Sequence, residues 1–343
     1  MRTRNDLIMM QSLPLRIKES MSQSRVSQWL REMGDAYISF SGGKDSTVLR
    51  DIVLAHFPSV PSVFCDTGLE YPEVRQFVKS FGDVEIIRPD MNFREVITTY
   101  GYPFISKEVA QNVYEVRRYG KERAIRTYSK FDNESDLNKK YKGRYSLEKW
   151  KPLLDIDFDI SHLCCKIMKK DPFKKYEKET GRTPIVATMA EESALRESIW
   201  LKEGCNAFNL KRPRSAPMSF WREQDVLEYI KIHGIKIASV YGEIVYAENP
   251  QQLRLELPGG CVEKLCTTGC QRTGCVFCGF GAHRDGDRSR FLSLKKTHRK
   301  LYDYCMGGGG FVNGLWKPTA EGLGMSYVID QLNRIYGKDF IRY

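Results

Sequence analysis

The chain has no run of about 18 apolar residues, so no segment of it can span a membrane as a helix. Its basic start, Met1-Arg2-Thr3-Arg4, leads into only four apolar residues, Leu7-Ile8-Met9-Met10, with no small-residue cleavage site after them. A secretory signal is therefore not expected, and a cytoplasmic protein is. Acidic residues are in deficit: 43 Asp and Glu face 54 Lys and Arg, a formal net charge of +11. A basic surface attracts anions, so nucleotide, sulfate or nucleic acid are the expected partners. No internal repeat is found. What is abundant is cysteine, ten in 343 residues. In a large chain without a secretion signal, metal or redox chemistry explains them better than disulfides. They are also uneven: Cys164 and Cys165 are adjacent, and Cys261, Cys266, Cys270, Cys275 and Cys278 fall within eighteen residues.

Hydrophobic residues at 41% and charged residues at 28% suit a globular protein of one or two domains, of which two are expected. Residues 1–34 read as a helical lead-in with Leu15, Ile17, Val26, Trp29 and Leu30 as its apolar face. Ala36 to Phe40 then reads as a buried strand, Ser41 to Ser46 as a turn and Thr47 to Leu54 as a helix. A second strand, Val60 to Phe64, ends at Cys65-Asp66-Thr67-Gly68, followed by a helix from Tyr71 to Phe81 and a strand from Val84 to Ile87. This alternation predicts an α/β fold, an open and mainly parallel sheet with helices on both faces.

The pattern breaks between about 105 and 160. Residues 111–151 hold twelve Lys or Arg against six Asp or Glu, and the segment reads as a basic helical insertion. The α/β pattern resumes at Thr183 to Thr188, with helices at Ser193 to Glu203 and Glu223 to His233. These readings divide the chain into a lead-in (1–34), a nucleotide-binding domain (35–257) and a Cys- and Gly-rich C-terminal stretch (258–343). That last stretch reads as a cofactor module rather than a second core, with Gly307 to Gly310 as a flexible loop.

A turn between a strand end and a helix N-terminus offers unpaired N–H groups and the positive end of the helix dipole, a natural anion site. Gly42 and Gly43 let a phosphate approach the backbone, Lys44 adds a charge, Ser41 and Ser46 add hydroxyls, and Asp45 can serve a metal or the turn itself. The spacing is not that of Walker A.

Ser41-Gly42-Gly43-Lys44-Asp45-Ser46 resembles the pyrophosphatase loop of the ATP pyrophosphatase superfamily, whose members share an adenine nucleotide alpha hydrolase-like fold, cleave ATP between the α and β phosphates and adenylate a substrate. Asp66-Thr67-Gly68-Leu69-Glu70-Tyr71-Pro72-Glu73 is similar to the second motif of the phosphoadenylyl-sulfate reductase family, a branch that includes the small subunit of bacterial sulfate adenylyltransferase. The resemblance runs over about residues 36–280, through Thr188 to Ser193 with Arg196, where the family grips an anion, and through Trp221 to Val226. It implies a nucleotide site built from Ser39, Ser41, Gly42, Gly43, Lys44, Asp45, Ser46, Asp66, Thr67 and Gly68.

Cys164-Cys165-Lys166-Ile167-Met168-Lys169 is similar to the paired-cysteine motif of adenylyl-sulfate reductases that carry a [4Fe-4S] cluster, and Cys275-Val276-Phe277-Cys278 matches their second pair. The resemblance makes these four the cluster ligands and places Lys169 near cluster and substrate. A rival grouping, Cys266, Cys270, Cys275 and Cys278, suits zinc or a cluster and stays open. Cys65 and Cys205 read as small buried hydrophobes.

The chain departs from the reductases in two ways. It lacks their C-terminal Glu-Cys-Gly-Leu-His segment, leaving Cys305 as the cysteine near the C-terminus that could act as a nucleophile. It also keeps a full ATP-type loop, which resembles the sulfur-transfer members, the DNA phosphorothioation proteins and cluster-dependent tRNA thiolases. The resemblance thus implies ATP with Mg²⁺, adenylation of an acceptor, and sulfur delivery from a donor protein. Lys44, Asp45, Lys169 and Arg196 are the expected catalytic groups. Glu191, Glu192 and Asp66 are candidate metal or base contacts, each with a capping or salt-bridge alternative. The basic cluster Arg117, Arg118, Lys121, Arg123 and Arg126, interleaved with Tyr119 and Tyr128, suits a DNA or tRNA acceptor or a solvated helix beside an anion site. Arg272, Thr273 and His283 are candidates for the substrate pocket. Two other functions stay open: a sulfonucleotide reductase releasing sulfite, and a nucleic-acid-binding protein with a structural metal.

Overall fold

Strand β1, Ala36–Ser39, alternates its side chains between two apolar layers. Ala36 and Ile38 enter a large core with Val48, Ile52, Trp200 and Trp221, while Tyr37 packs with Val63 and Tyr176 on the opposite face. A strand covered on both faces explains why this segment is nearly continuously apolar rather than alternating with polar residues. The computed structural model describes residues 2–247 and 264–343. These form two compact units assembled from discontinuous segments.

The first unit comprises residues 1–66, 70–88 and 173–273. Its sheet contains β1, β2 (Ser62–Cys65), β3 (Val84–Ile87), β4 (Thr183–Ile185), β5 (Asn206–Ala207) and β6 (Arg214–Ser215) in the order β3-β2-β1-β4-β6-β5. All neighbours are parallel except the edge pair β5 and β6. The parallel α/β sheet is therefore present as the strand and helix alternation predicts. From β1 the order runs outward to β2 and β3 on one side and to β4 on the other. The carboxyl end of β1 is thus the switch point, where open α/β sheets bind ligands.

The lead-in folds as two helices, Arg4–Gln11 and Leu15–Met33, and belongs to this unit. Val26 and Trp29 are fully buried and Leu15 and Leu30 pack against the core, but Ile17 points outward at 48% exposure. In its place Lys18 is buried, with Nζ 2.6 Å from Asp225 and 2.8 Å from the Gln11 carbonyl. A polar residue on the buried stripe is satisfied by a partner more than 200 residues away, which periodicity cannot reveal.

The second unit comprises residues 67–69, 89–172 and 274–343. The expected insertion is helical, with Lys107–Arg123, Ile125–Tyr128 and Asp136–Lys140. The sequence grouped that insertion with the nucleotide-binding domain, whereas it clusters with the C-terminal residues. The C-terminal stretch also has a core of its own: Phe291, Leu294, Cys305, Met325, Val328, Ile329 and Leu332 are buried, on helices Arg290–Thr297, Arg299–Met306 and Met325–Tyr336. The stretch expected to be a cofactor module thus also holds a buried apolar set of its own. The glycine run is likewise not slack. A Cβ on Gly308 would meet the Gly322 backbone at 2.4 Å and one on Gly309 the Trp316 ring at 2.4 Å, and Gly310–Val312 pairs with Leu315–Lys317 as a hairpin. These glycines serve close approach rather than flexibility. Among the described residues no helix is long and apolar enough to cross a membrane. The 257/258 division and Cys261 lie outside the described residues.

Candidate functional site: the phosphate loop and the cysteine cluster

The helix after β1 begins at Lys44, three residues earlier than expected, because Gly43 in extended conformation acts as its N-cap. Lys44 and Asp45 are therefore in its first turn, and the loop proper is Ser41-Gly42-Gly43. Gly42 is left-handed at φ 69°, and a Cβ there would strike Val78 at 2.6 Å and Val74 at 2.8 Å, so glycine is required twice over. The loop is held by its own hydroxyls. Ser46 Oγ accepts from the Ser41 N–H at 3.1 Å and lies 2.9 Å from Ser41 Oγ, and the Gly43 N–H donates to Ser41 Oγ at 3.3 Å. Ser39 closes β1 just before this turn.

Lys44 is almost fully buried, and its ammonium is 3.0 Å from both the Glu223 carboxylate and the Gln271 carbonyl. The Lys44 N–H donates to the Tyr241 hydroxyl at 3.2 Å, which is 2.7 Å from the Thr273 hydroxyl. Asp45 Oδ1 is buried without a hydrogen bond among the described residues, and the Lys44 ammonium lies 3.7 Å from it. Burial holds the Asp45 carboxyl above its ordinary range, with Lys44 opposing that shift and Glu223 adding to it. Arg196 and Arg272 are near enough to Asp45 to interact electrostatically; burial and then Arg272 lower the Arg196 pKa. Three cations thus converge on a loop that faces the switch point, an anion-binding arrangement.

The acidic candidates are already engaged. Glu192 pairs with Arg196 and accepts from the Met189 N–H at 2.9 Å, while Glu191 accepts from the Glu223 N–H at 2.7 Å. Both follow the capping and salt-bridge alternative. Asp66, at the carboxyl end of β2, pairs with Arg75 at 2.9 Å. Thr67 and Gly68 are assigned to the second unit and the rest of the expected nucleotide set to the first. Tyr241 was not singled out by sequence, and Glu223 only as part of the segment Trp221 to Val226, with no role at Lys44. The first signal for them is the distance along the chain to Lys44, nearly 200 residues, which only folding closes.

In the second unit, Cys164 is buried and Cys165 half-buried at the entry to a π-helical turn, Lys166–Lys170, a local insertion often found at functional positions. Cys275-Val276-Phe277-Cys278 is tied into the same unit by the parallel pairing of Gly279–Phe280 with Phe104–Ile105; a Cβ on Gly279 would meet the Phe104 ring at 2.6 Å. Burial pushes the Cys164 thiol far up, and Cys165, Cys275 and Cys278 push it further, while Lys169 opposes them. Cys278 is raised by burial and by Cys275 and Cys165, with Arg290 opposing. The four thiols are therefore electrostatic neighbours. Among the described residues, however, no group of three or more His, Cys, Asp or Glu side chains is arranged to hold a metal ion. The thiols thus lack a coordination geometry that could be read as a metal centre.

Cys266, on strand Leu265–Thr267, and Cys270, hydrogen-bonded to Tyr71, belong to the first unit, whereas Cys275 and Cys278 belong to the second. Cys305 is fully buried, with its Sγ 3.3 Å from Met325 Sδ and its pKa raised by burial. His283 stacks on Phe340 at 5.2 Å and belongs to the second unit, whereas Arg272 and Thr273 belong to the first. Arg117 is structural: it donates to the Phe158 carbonyl at 2.7 Å and pairs with Asp159.

No curated protein matches the chain by sequence. Among solved structures it is similar to the phosphoadenylyl-sulfate (PAPS) reductase of Candida auris in its phosphate complex, at 12% identity and a TM-score of 0.38, over 69% of this chain and 90% of that one. The model of the phosphoadenosine phosphosulfate reductase domain matches residues 35–130 and 106–279, together well over half of the 343 residues. The strand, loop and helix that present Lys44, the switch point beside them and both cysteine pairs all lie in that matched span, and the chain belongs to the phosphoadenosine phosphosulfate reductase family.

Proposed function

We propose that this member of the family uses ATP, cleaving it between the α and β phosphates to adenylate a nucleic-acid acceptor, and that sulfide-level sulfur from a donor protein then displaces AMP from the adenylated position. The observation that carries the reading is the complete loop Ser41 to Ser46, with Lys44 buried and Asp45 Oδ1 buried, held there by a 3.7 Å ion pair to Lys44 rather than by a hydrogen bond. A buried carboxylate oxygen with only that long contact has lone pairs left for a ligand to complete. Asp45 would hold Mg²⁺, which supplies neutralisation of the triphosphate charge when bound. An acceptor oxygen attacks the α-phosphorus, the bond from that phosphorus to the bridging oxygen breaks, and pyrophosphate leaves. Lys44, Arg196 and Arg272 stabilise the charge that develops on the phosphates, which requires Lys44 to leave Glu223 for the nucleotide.

Cys164, Cys165, Cys275 and Cys278 would be the donor set for a [4Fe-4S] cluster, which would supply an iron site for sulfur chemistry when bound. Their fit rests on donor type and on proximity: after burial, Cys165, Cys275 and Cys278 push the Cys164 thiol up, and Cys275 and Cys165 push the Cys278 thiol up, a cost that a cationic centre would relieve. Lys169 favours the Cys164 thiolate, the form that ligates.

The reductase alternative draws on the family itself, and it would give sulfite from a sulfonucleotide with a thiol reductant. It needs a reactive thiol, and the burial of Cys305 weighs against that. The test is pyrophosphate release from ATP under anaerobic conditions with single-stranded DNA and tRNA as acceptors. Release is expected, and Lys44→Ala should lower its rate by about 10²–10³-fold. Sulfite from a sulfonucleotide with no pyrophosphate from ATP would establish the reductase instead, and oligonucleotide binding untouched by Lys44→Ala with neither product would leave a binding protein. For the cysteines, iron and acid-labile sulfide in anaerobically purified protein are expected; colourless protein with stoichiometric zinc would overturn the cluster.

A further inference from the structure

Gly120 breaks the helix Lys107–Arg123 with φ 79° and ψ 158°, a conformation nearly confined to glycine. A cavity of about 450 Å³ opens around this kink, lined by Tyr114, Glu115, Tyr119, Arg123, Thr127 and His162. Its volume lies within the roughly 300–1,000 Å³ of small-molecule sites. None of these residues belongs to the phosphate loop or to the cysteine set.

The lining has a specific chemistry. Tyr114 and Tyr119 supply aromatic surface, and His162 stands edge-on to Tyr114 at 5.8 Å. His162 Nδ1 is buried with no hydrogen-bond partner among the described residues. Glu115 accepts from Gln111 at 2.9 Å through one oxygen and from Thr127 at 3.0 Å through the other, so both oxygens are fixed with lone pairs to spare. Arg123 is exposed at the edge. Rings for a planar face, fixed acceptors for its polar edge and a guanidinium for a nearby phosphate are the groups that recognise a nucleobase on its sugar-phosphate chain.

The rim distinguishes a polymer from a free nucleotide. Arg118, Lys121 and Arg126 are exposed around the same kink, together with Tyr119 at 57% and Ile125 at 63% exposure. A single nucleotide would be met by Arg123 alone, whereas successive phosphates need a row of cations. The lining also runs straight into the first cysteine pair, since His162 and Leu163 precede Cys164 and Cys165.

We propose that this cavity receives one unstacked base of a single-stranded nucleic acid, with Tyr119 stacking on it and Arg123 on its phosphate. The inference rests on the reading above that the acceptor is a nucleic acid. The test is equilibrium binding of the full-length protein to single-stranded DNA and RNA of about 12 nucleotides, within the usual range of single-strand site sizes. Tyr119→Ala should weaken binding by about 5- to 100-fold without changing the dependence on salt, and Lys121→Ala should reduce the salt slope by about 1. On a strand of the same length without bases, Tyr119→Ala should bind as the unaltered protein does. The proposal falls if Tyr119→Ala and Arg123→Ala leave oligonucleotide affinity unchanged, if the Tyr119 effect persists in full on the baseless strand, or if free AMP competes as well as the oligonucleotide. The DNA and RNA arms show which polymer is preferred. Base-dependent binding without pyrophosphate release would keep the pocket and sink the ATP reading. Pyrophosphate release from a protein that binds no oligonucleotide would do the reverse.

Discussion

Lys44 already has a carboxylate partner, the one that a phosphate would have to displace in the proposed reaction. Its ammonium is 3.0 Å from Glu223, so an entering anion must replace that contact. Glu223→Gln removes the competing charge and should tighten pyrophosphate or ATP binding about fivefold, close to 1 kcal/mol, by titration calorimetry; unchanged affinity would mean the contact does not compete. Lys44 itself was legible in the sequence because its neighbours lie within six residues. Glu223, Gln271 and Tyr241 were not, because their relation to it exists only after folding. His283 carries a second residue-scale consequence. Its imidazole is packed against Phe340 and Trp150, and burial lowers its pKa below 6.5, with Arg284, Lys149 and Arg290 adding to the shift and Asp285 opposing it. The unfolded chain then binds a proton the folded chain refuses, so stability is full above pH 6.5 and is lost as pH falls from there toward the lowered folded value. His283→Phe should flatten the acid side of a urea-denaturation series between about pH 7.5 and 5; an unchanged slope would assign the acid sensitivity elsewhere.

The elements were legible in type more than in extent. The strand Val84–Ile87 and the helix Glu223–His233 lie where the pattern puts them, since an apolar strand and an amphipathic stripe carry their own period. The phosphate-loop helix begins earlier than expected because a glycine N-cap looks the same in sequence as one more glycine of the turn. The run Gly307 to Gly310 shows the same ambiguity in a sharper form. Glycine marks both loose chain and places where backbones meet, and here the second holds. Gly309→Ala would force a left-handed Cβ into the Trp316 ring and should cost about 1–3 kcal/mol in chemical denaturation. A neutral substitution would restore the flexible-loop reading. The basic insertion was legible as charge, but its kink and cavity were not, because a lone Gly120 in a helical pattern does not announce a break.

On the scale of the molecule, composition placed a division at 257/258, but packing follows different lines. The first unit needs residues 264–273, which supply the Gln271 carbonyl to Lys44 and the Thr273 hydroxyl to Tyr241. A fragment ending at 257 should therefore unfold at lower urea than the full chain and lose nucleotide-dependent stabilisation, whereas one ending after Thr273 should retain more of both. Equal stability of the two fragments would show that this strand is dispensable. Composition reports what a segment is made of and not which distant segments it joins, so the weaving of both units was invisible to it. That weaving also sets an order of events at the ribosome. Cys165 emerges 113 residues before Cys278 and Cys164 one residue earlier still, so at about 5–20 residues per second they wait on the order of 6–23 s for the second pair to be complete. During that interval two thiols are without their neighbours, and the newborn chain is more vulnerable to oxidation than the finished one.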